Sequence, residues 1–346
     1  MNKYVLTIKD PNKNNAGPKA KEDVLYFLKD EGFLPLPLSL KLDPEDRSLG
    51  AKFRKIYDVK VKIPRVFKKL KADVVVLQYP IYSTYLTNNI IKAIRSYTDA
   101  KLYLVIHDVE TLRLFKDDQT FSKNEITVFN DVDGIIDHNR KMHAWLNEQG
   151  VTTPCIDLEI FDYYNPTELR KEYNYDRSLV FAGNLAKSKF LTSKEFEKLA
   201  FKLELFGPSP AEKYAENINY QGVYSPEELP DHLNQNFGLV WDGNSVAKCD
   251  GTFGEYTKYN NPHKASLYLS SGLPIIVWKK AALADFVIDN NVGFAVDSLT
   301  EIDERLEGMP REEYSVMKKN ALAVAQKMRD GEFIKTAMTK LEKVKD

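Results

Sequence analysis

Cysteine is nearly absent from this chain of 346 residues, with Cys155 and Cys249 its only two. They are far apart in sequence and neither belongs to a Cys-x-x-Cys pair. That excludes a disulfide framework and a cysteine-built zinc site. It also fits a reducing cytoplasm. Long hydrophobic runs are missing as well. No stretch approaches the roughly 20 apolar residues of a membrane span. The apolar part of the opening MNKYVLTIKD is too short for a secretory leader. The expectation is a cytoplasmic protein with no transmembrane segment, whose closest approach to a membrane is peripheral, at the inner face. Excess charge of one sign is missing too: 49 Lys and Arg face 50 Asp and Glu. Nucleic acid is therefore not expected as a partner, because duplex binding needs concentrated positive charge. Basic residues do gather locally, in Lys13, Lys19 and Lys21 and again in Arg65, Lys68, Lys69 and Lys71. Such groups are solvated faces or phosphate contacts. No repeat of 20 to 50 residues is present, which excludes a solenoid.

What is present is an ordinary globular composition, 43% hydrophobic and 29% charged. Short, continuously apolar runs alternate with amphipathic segments. Tyr4 to Ile8, Ala72 to Gln78, Leu102 to Ile106 and Gly134 to Ile136 read as strands, with helices at Lys21 to Glu31, Tyr85 to Tyr97 and Lys141 to Glu148. The second half repeats the logic. Strands are expected at Ser178 to Phe181, Leu203 to Phe206, Ile218 to Val223, Phe237 to Trp241, Pro274 to Val277 and Phe294 to Val296. In SPEELPDHL, Ser225 and Glu228 form a capping box that announces a helix. Strands apolar on both faces and separated by helices imply parallel sheets covered on both sides.

The expected organisation is therefore two Rossmann-like domains facing a central cleft. The first spans residues 1–156, a linker 157–176, the second 177–309, and helices fill 310–346 and return to the first domain. Ligands of such sheets bind at the carboxyl ends of the strands, where helix N-termini favour phosphate.

Two motifs carry chemistry. In FAGNLAKSKF a strand ends at Gly183, followed by Asn184 and Lys187. Gly183 lets the backbone approach an oxygen closely, and Lys187 offers a compact charge, or the segment is a plain strand-to-helix turn. In TFGEYTKYNNPHKASLYLSSGLPIIVW, Asn261, His263 and Lys264 fall at the start of a helix that ends at Gly272. A cation in the first turn opposes the helix dipole, which makes sense if an anion arrives there.

These blocks, with the surrounding chain, resemble bacterial glucosyltransferases of the glucosyltransferase 3 (Gtf3) type and the related β-1,6-galactofuranosyltransferases. The resemblance spans nearly the whole chain. It implies a GT-B fold with two Rossmann-like domains, a UDP-sugar donor held mostly by the second domain, and an acceptor held mostly by the first. It further implies homo-oligomers, a dimer or tetramer, and no essential metal or other cofactor. Known members transfer glucose from UDP-glucose to GlcNAc on serine-rich glycoproteins. Relatives transfer galactofuranose or another hexose during polysaccharide assembly. On this reading Gly183, Asn184, Lys187, Asp242, Glu255, Asn261, His263 and Lys264 hold the donor. Lys264 neutralises charge on the leaving group. His107 and Asp108, at a strand end, are candidates for the base, although His107 also suits a satisfied buried histidine. Gly17, Pro18 and Tyr79 are placed at the acceptor. Many retaining GT-B enzymes carry a Glu-x7-Glu pair. Here Glu255 stands nine residues before Lys264 and the second position is not acidic, so the donor-sugar carboxylate and the stereochemistry stay open.

Overall fold

In the computed structural model of the protein, residues 1–8, 16–40 and 48–344 are described, with the backbone alone for 16–18 and 51. Among these the chain forms two compact units. The first comprises residues 1–8, 17–40, 48–158 and 334–344, the second Ala16 and Glu159–Phe333.

The first unit begins with β1 (Lys3–Ile8), α1 (Ala16–Leu28) and β2 (Phe33–Leu38). Then follow α2 (Leu49–Tyr57), a π-helical stretch over Asp58–Lys62, and α3 (Ile63–Phe67). The remainder alternates: β3 (Val74–Tyr79), α4 (Thr84–Tyr97), β4 (Lys101–Ile106), α5 (Glu110–Arg113), α6 (Gln119–Asn130), β5 (Gly134–Asp137), α7 (Arg140–Glu148) and β6 (Cys155–Asp157). All pairings are parallel in the order β2-β1-β3-β4-β5-β6. β3 (VVVLQY) is buried along its whole length, as a strand covered on both faces must be. α4 starts where the Ser83 hydroxyl accepts from Leu86 N, and it buries Leu86, Ile90 and Ile94. β2 carries Pro35 and Pro37 without loss, because it is an edge strand and every second N–H points off the sheet.

The second unit contains β7 (Leu179–Ala182), β8 (Leu203–Phe206), β9 (Ile218–Gly222), β10 (Phe237–Val240), α8 (Gly251–Tyr256), α9 (His263–Ser270), β11 (Ile275–Trp278), α10 (Leu283–Asp289), β12 (Gly293–Val296), α11 (Ile302–Glu307) and α12 (Arg311–Arg329). Its order is β12-β11-β10-β7-β8-β9, again wholly parallel. Counted from its own first strand this is 6-5-4-1-2-3, the doubly wound order with a switch between β7 and β10. Successive residues of these strands serve opposite cores. Phe181, Leu239 and Trp241 pack on one face, Val180, Val240 and Val277 on the other.

Between β7 and β8 the chain makes three short 3-10 turns, within 185–198. The capping box of Ser225 and Glu228 forms, with Glu228 N donating to Ser225 Oγ at 3.3 Å. It opens a turn and the 3-10 segment Leu229–His232, not the expected α-helix. Residues after Glu159 lie along the second unit as an ordered strap. Asn165 Nδ2 donates to Ser271 Oγ at 3.2 Å and Tyr163 Oη to Pro226 O at 3.1 Å. The last helix, α13 (Glu332–Glu342), joins the first unit from Ile334 onward. There Lys3 pairs with Glu342 at 2.7 Å and Lys335 with Asp30 at 2.8 Å. No described helix is long and apolar enough to cross a membrane.

Candidate active site

The strand order of the second unit puts its topological switch between β7 and β10, where flanking connections leave in opposite directions and open a crevice. Three sequence-selected groups meet there: Gly183 and Asn184 just beyond β7, Asp242 just beyond β10, and Lys264 in the first turn of α9. Lys264 Nζ donates to Asp242 Oδ1 at 2.8 Å and to Trp241 O at 3.0 Å, and it sits 4.7 Å from the centre of the Phe181 ring. From sequence, Lys264 is a cation awaiting an anion. The chain itself supplies one, since Asp242 is its counter-ion.

Helix α9 reaches this point because β10 is thin beneath it. A Cβ on Gly238 would come within 2.2 Å of the Tyr268 ring, so only glycine admits α9 this close. The Tyr268 hydroxyl then accepts from Ala182 N at 2.6 Å, tying the helix to the end of β7. The next loop is held as tightly. Gly207, after β8, has φ +139°, and a Cβ there would fall 1.8 Å from Gly183 O. The loop after β10 folds back on itself, with Asn244 N donating to Asp250 Oδ1 at 2.6 Å across Gly243. Burial pushes the nearby Cys249 thiol up to about 12, which leaves it an inert packing group.

The remaining donor-side candidates have defined surroundings. Asn184 caps the turn Leu185–Lys187 by accepting from Ala186 N. Lys187 is exposed and stands 4.4 Å from the Phe253 ring. Glu255, in α8, is half-buried with its side chain 44% exposed, and it pairs with Lys258. Asn261 is buried and donates to Glu159 O at 2.9 Å, and the His263 ring lies 4.6 Å from that of Phe161. Both thus brace α9 against the strap. At its far end α9 meets cations on α12: Lys318 Nζ donates to Gly272 O at 2.7 Å and Arg329 Nε to Ser270 O at 2.7 Å. That arrangement suits the negative end of a helix. Burial lowers the Lys318 ammonium to about 8.

In the first unit the switch lies between β1 and β3. Of the loop expected after β1, Asp10 to Lys19, residues 10–15 lie outside the described residues, and Ala16 to Lys19 are helical, opening α1. Gly17 and Pro18 belong to the first turn of α1. Tyr79 ends β3 with its ring in the core, edge-on to Phe129, and its hydroxyl donating to Glu125 at 2.7 Å. His107 is buried, Nε2 2.9 Å from Gln78 Oε1. Asp108 pairs with Arg113 at 3.2 Å.

Sequence reasoning missed Glu110 and Glu125. Glu125 is buried and accepts from Glu110 N at 2.8 Å and Thr111 N at 2.9 Å. Burial, opposed by Arg113, raises the Glu110 carboxyl to about 7. Both line a cavity of about 180 Å³ together with Tyr82, Leu114, Phe115 and Phe121. The signal present in the sequence is the charged cluster after β4, Asp108 and Glu110.

A third group lies at the carboxyl ends of β5 and β6. Asp137, His143 and Asp157 bring one ligand atom each within 4.8 Å of one another, a donor set that can hold a cation. Burial, then the Asp157 charge, drive the Asp137 carboxyl well above its usual range.

Two parallel doubly wound sheets in this order define the GT-B class. A sucrose-phosphate synthase from Thermosynechococcus elongatus superposes with a TM-score of 0.64 at 15% identity, covering 98% of each chain. At that identity the likeness concerns the fold. The family follows from sequence. Residues 2–160 match the glucosyltransferase 3-like N-terminal domain and residues 179–341 the glucosyltransferase 3-like C-terminal domain. The chain belongs to the glucosyltransferase 3-like family and is a glycosyltransferase. It is 29% identical over 336 residues to beta-1,6-galactofuranosyltransferase WbbI of Escherichia coli (strain K12), covering 91% of this chain and 97% of that one. It is 28% identical over 268 residues to glucosyltransferase 3 of Streptococcus gordonii, covering 77% and 78%.

Proposed function

We propose that the protein transfers a hexose from a UDP-sugar, UDP-glucose in the favoured reading, to a glycan acceptor. The acceptor would be GlcNAc on a serine-rich glycoprotein or an intermediate of a cell-surface polysaccharide. The observation that carries this is the meeting of Lys264, Asp242 and the Gly183 loop at the switch point of the second sheet.

The chemistry needs charge stabilisation. Breaking the bond from the anomeric carbon to the diphosphate leaves negative charge on UDP. Lys264, with Lys187 four positions beyond Gly183, would supply positive charge, and backbone N–H groups add dipoles. This is electrostatic catalysis by side chains, with no metal required, and each preorganised donor contributes about 3 kcal/mol. Asp242 would hold Lys264 in place before the donor arrives. Activation of the acceptor hydroxyl falls to the first unit. His107 and Asp108 were the candidates from sequence, and Glu110 joins them because a carboxyl near 7 can both take and return a proton at neutral pH. The aromatic lining of the cavity beside Glu110 suits the apolar faces of a sugar. We place the enzyme in the cytoplasm as a homo-oligomer.

Transfer of galactofuranose from UDP-galactofuranose is the second reading. It is favoured by the galactofuranosyltransferase relative, which matches over 97% of its length. An array of UDP-hexoses against glycan acceptors, with products read by mass spectrometry, tests both. Transfer of glucose supports the first reading and transfer of galactofuranose alone the second. Binding of UDP without turnover on any acceptor would leave a non-catalytic binding protein and refute both.

A further inference from the structure

Helix α2 is built inside out. Leu49, Phe53, Ile56 and Tyr57 recur at helical spacing, and they are 73%, 72%, 51% and 48% exposed. Arg54 and Lys55, on the opposite side, are half-buried. No described side chain of α2 is buried. The core contacts come only after it, from Asp58, Val59, Ile63 and Phe67. A nine-residue helix is too short to be stable in water by propensity, and helices in proteins owe their stability to packing an apolar face. Here that face looks outward.

The charge around it is as one-sided. Between Leu49 and Lys71 nine residues are Lys or Arg and one, Asp58, is acidic, in a chain of formal net charge −1. Asp58 is buried and engaged by Lys62 at 2.9 Å, so the exposed surface of this segment is cationic. Lys52, Lys60, Lys68 and Lys69 are exposed. Apolar anchors of Leu, Phe and Ile among lysines are the composition of a helix that lies in a lipid interface. Anionic headgroups attract such a segment and the acyl boundary takes the side chains.

We infer that α2 and the basic segment behind it dock the protein on an anionic lipid bilayer, with Leu49, Phe53 and Ile56 inserted at headgroup depth. A symmetric contact between two copies fits less well, because it would set the same cationic patch against itself. Nucleic acid offers phosphates but no place for three aliphatic and aromatic anchors. The surface is argued independently of the sugar reading, and it would deliver the enzyme to membrane-held acceptors.

The test is co-sedimentation of the full chain with vesicles of phosphatidylcholine alone or with about a third phosphatidylglycerol. The expected result is binding to the anionic vesicles only, weakened by salt. The triple substitution Leu49→Ser, Phe53→Ser, Ile56→Ser should reduce partition by at least about tenfold. Lys52→Gln with Lys60→Gln should lower it several-fold and flatten its salt dependence. Ile288→Ser, an equally exposed apolar residue of the second unit, should change nothing. Melting curves check that the variants fold, which the exposure of these side chains makes the expected outcome. Absence of binding to anionic vesicles at low salt overturns the inference. So does unchanged binding by a folded triple variant. A triple variant that alters only the oligomer mass in sedimentation velocity would make the face a subunit contact instead.

Discussion

Replacing Lys264 by alanine separates a donor ligand from a purely structural cation. Its ammonium makes two hydrogen bonds and one ring contact, and the side chains of Lys264 and Asp242 are only 13% and 21% exposed. Lys264→Ala therefore strands a largely sheltered carboxylate. A charge-assisted hydrogen bond contributes about 1.5 to 3 kcal/mol, and Asp242 retains some access to water, so a loss of about 1 to 3 kcal/mol of stability is expected. If the ammonium also faces the donor diphosphate, UDP affinity should fall by a similar energy, roughly five- to 150-fold. Lys264→Arg should recover little, because a planar fork does not replace a compact ammonium between Asp242 and a phosphate. Asp242→Asn removes the internal counter-ion and leaves the cation. It should destabilise less, and it should keep or tighten UDP binding. Calorimetric titration with UDP, run beside melting curves on all variants, reads both effects. Unchanged UDP affinity in folded Lys264→Ala, with stability lost to a similar degree in both variants, would show that Lys264 serves Asp242 alone.

Gly207→Ala should force the Gly183 loop away, because its added Cβ would fall 1.8 Å from Gly183 O, costing about 1 to 3 kcal/mol of stability and weakening UDP binding; a variant with native melting and affinity would refute that packing. Glu110 holds a proton up to about pH 7 in the folded protein and only to about 4.5 when unfolded. Its contribution to stability is thus full below pH 4.5 and lost as the pH rises through 7. Glu110→Gln should gain on the wild type across that window, by at most about 3 kcal/mol, as read by denaturant titration at several pH values. Turnover should persist in EDTA, since charge neutralisation is assigned to lysines; complete loss restored by Mg²⁺ or Mn²⁺ would contradict that assignment.

Most strands were legible because they are buried on both faces and so form unbroken apolar runs, as in VVVLQY and IIVW. β2 was not, because FLPLPL carries two prolines that only an edge position tolerates, and edge position is a property of the sheet. The short β6 was absorbed into the expected linker. α2 escaped notice for a different reason: its apolar face packs on nothing in the described structure, so pattern and burial disagree. At the site, the glycine-ended strand and the lysine of the NNPHK block could be read as local signals. The Lys264–Asp242 pair spans 22 positions and the Glu125 contacts 14 or more, so no window of sequence reveals them. Asp242 was selected for the donor, but its role as the partner of Lys264 emerged only from the fold.

The central claim is hexosyl transfer from a UDP-sugar. The most direct measurement incubates the purified protein with UDP-glucose or UDP-galactofuranose, with and without a GlcNAc-bearing glycan, and records UDP release and acceptor mass in the same sample. The expected result is UDP release that depends on acceptor and matches, mole for mole, the gain of one hexose. UDP release without acceptor gain, or neither with any donor and glycan acceptor, would contradict it.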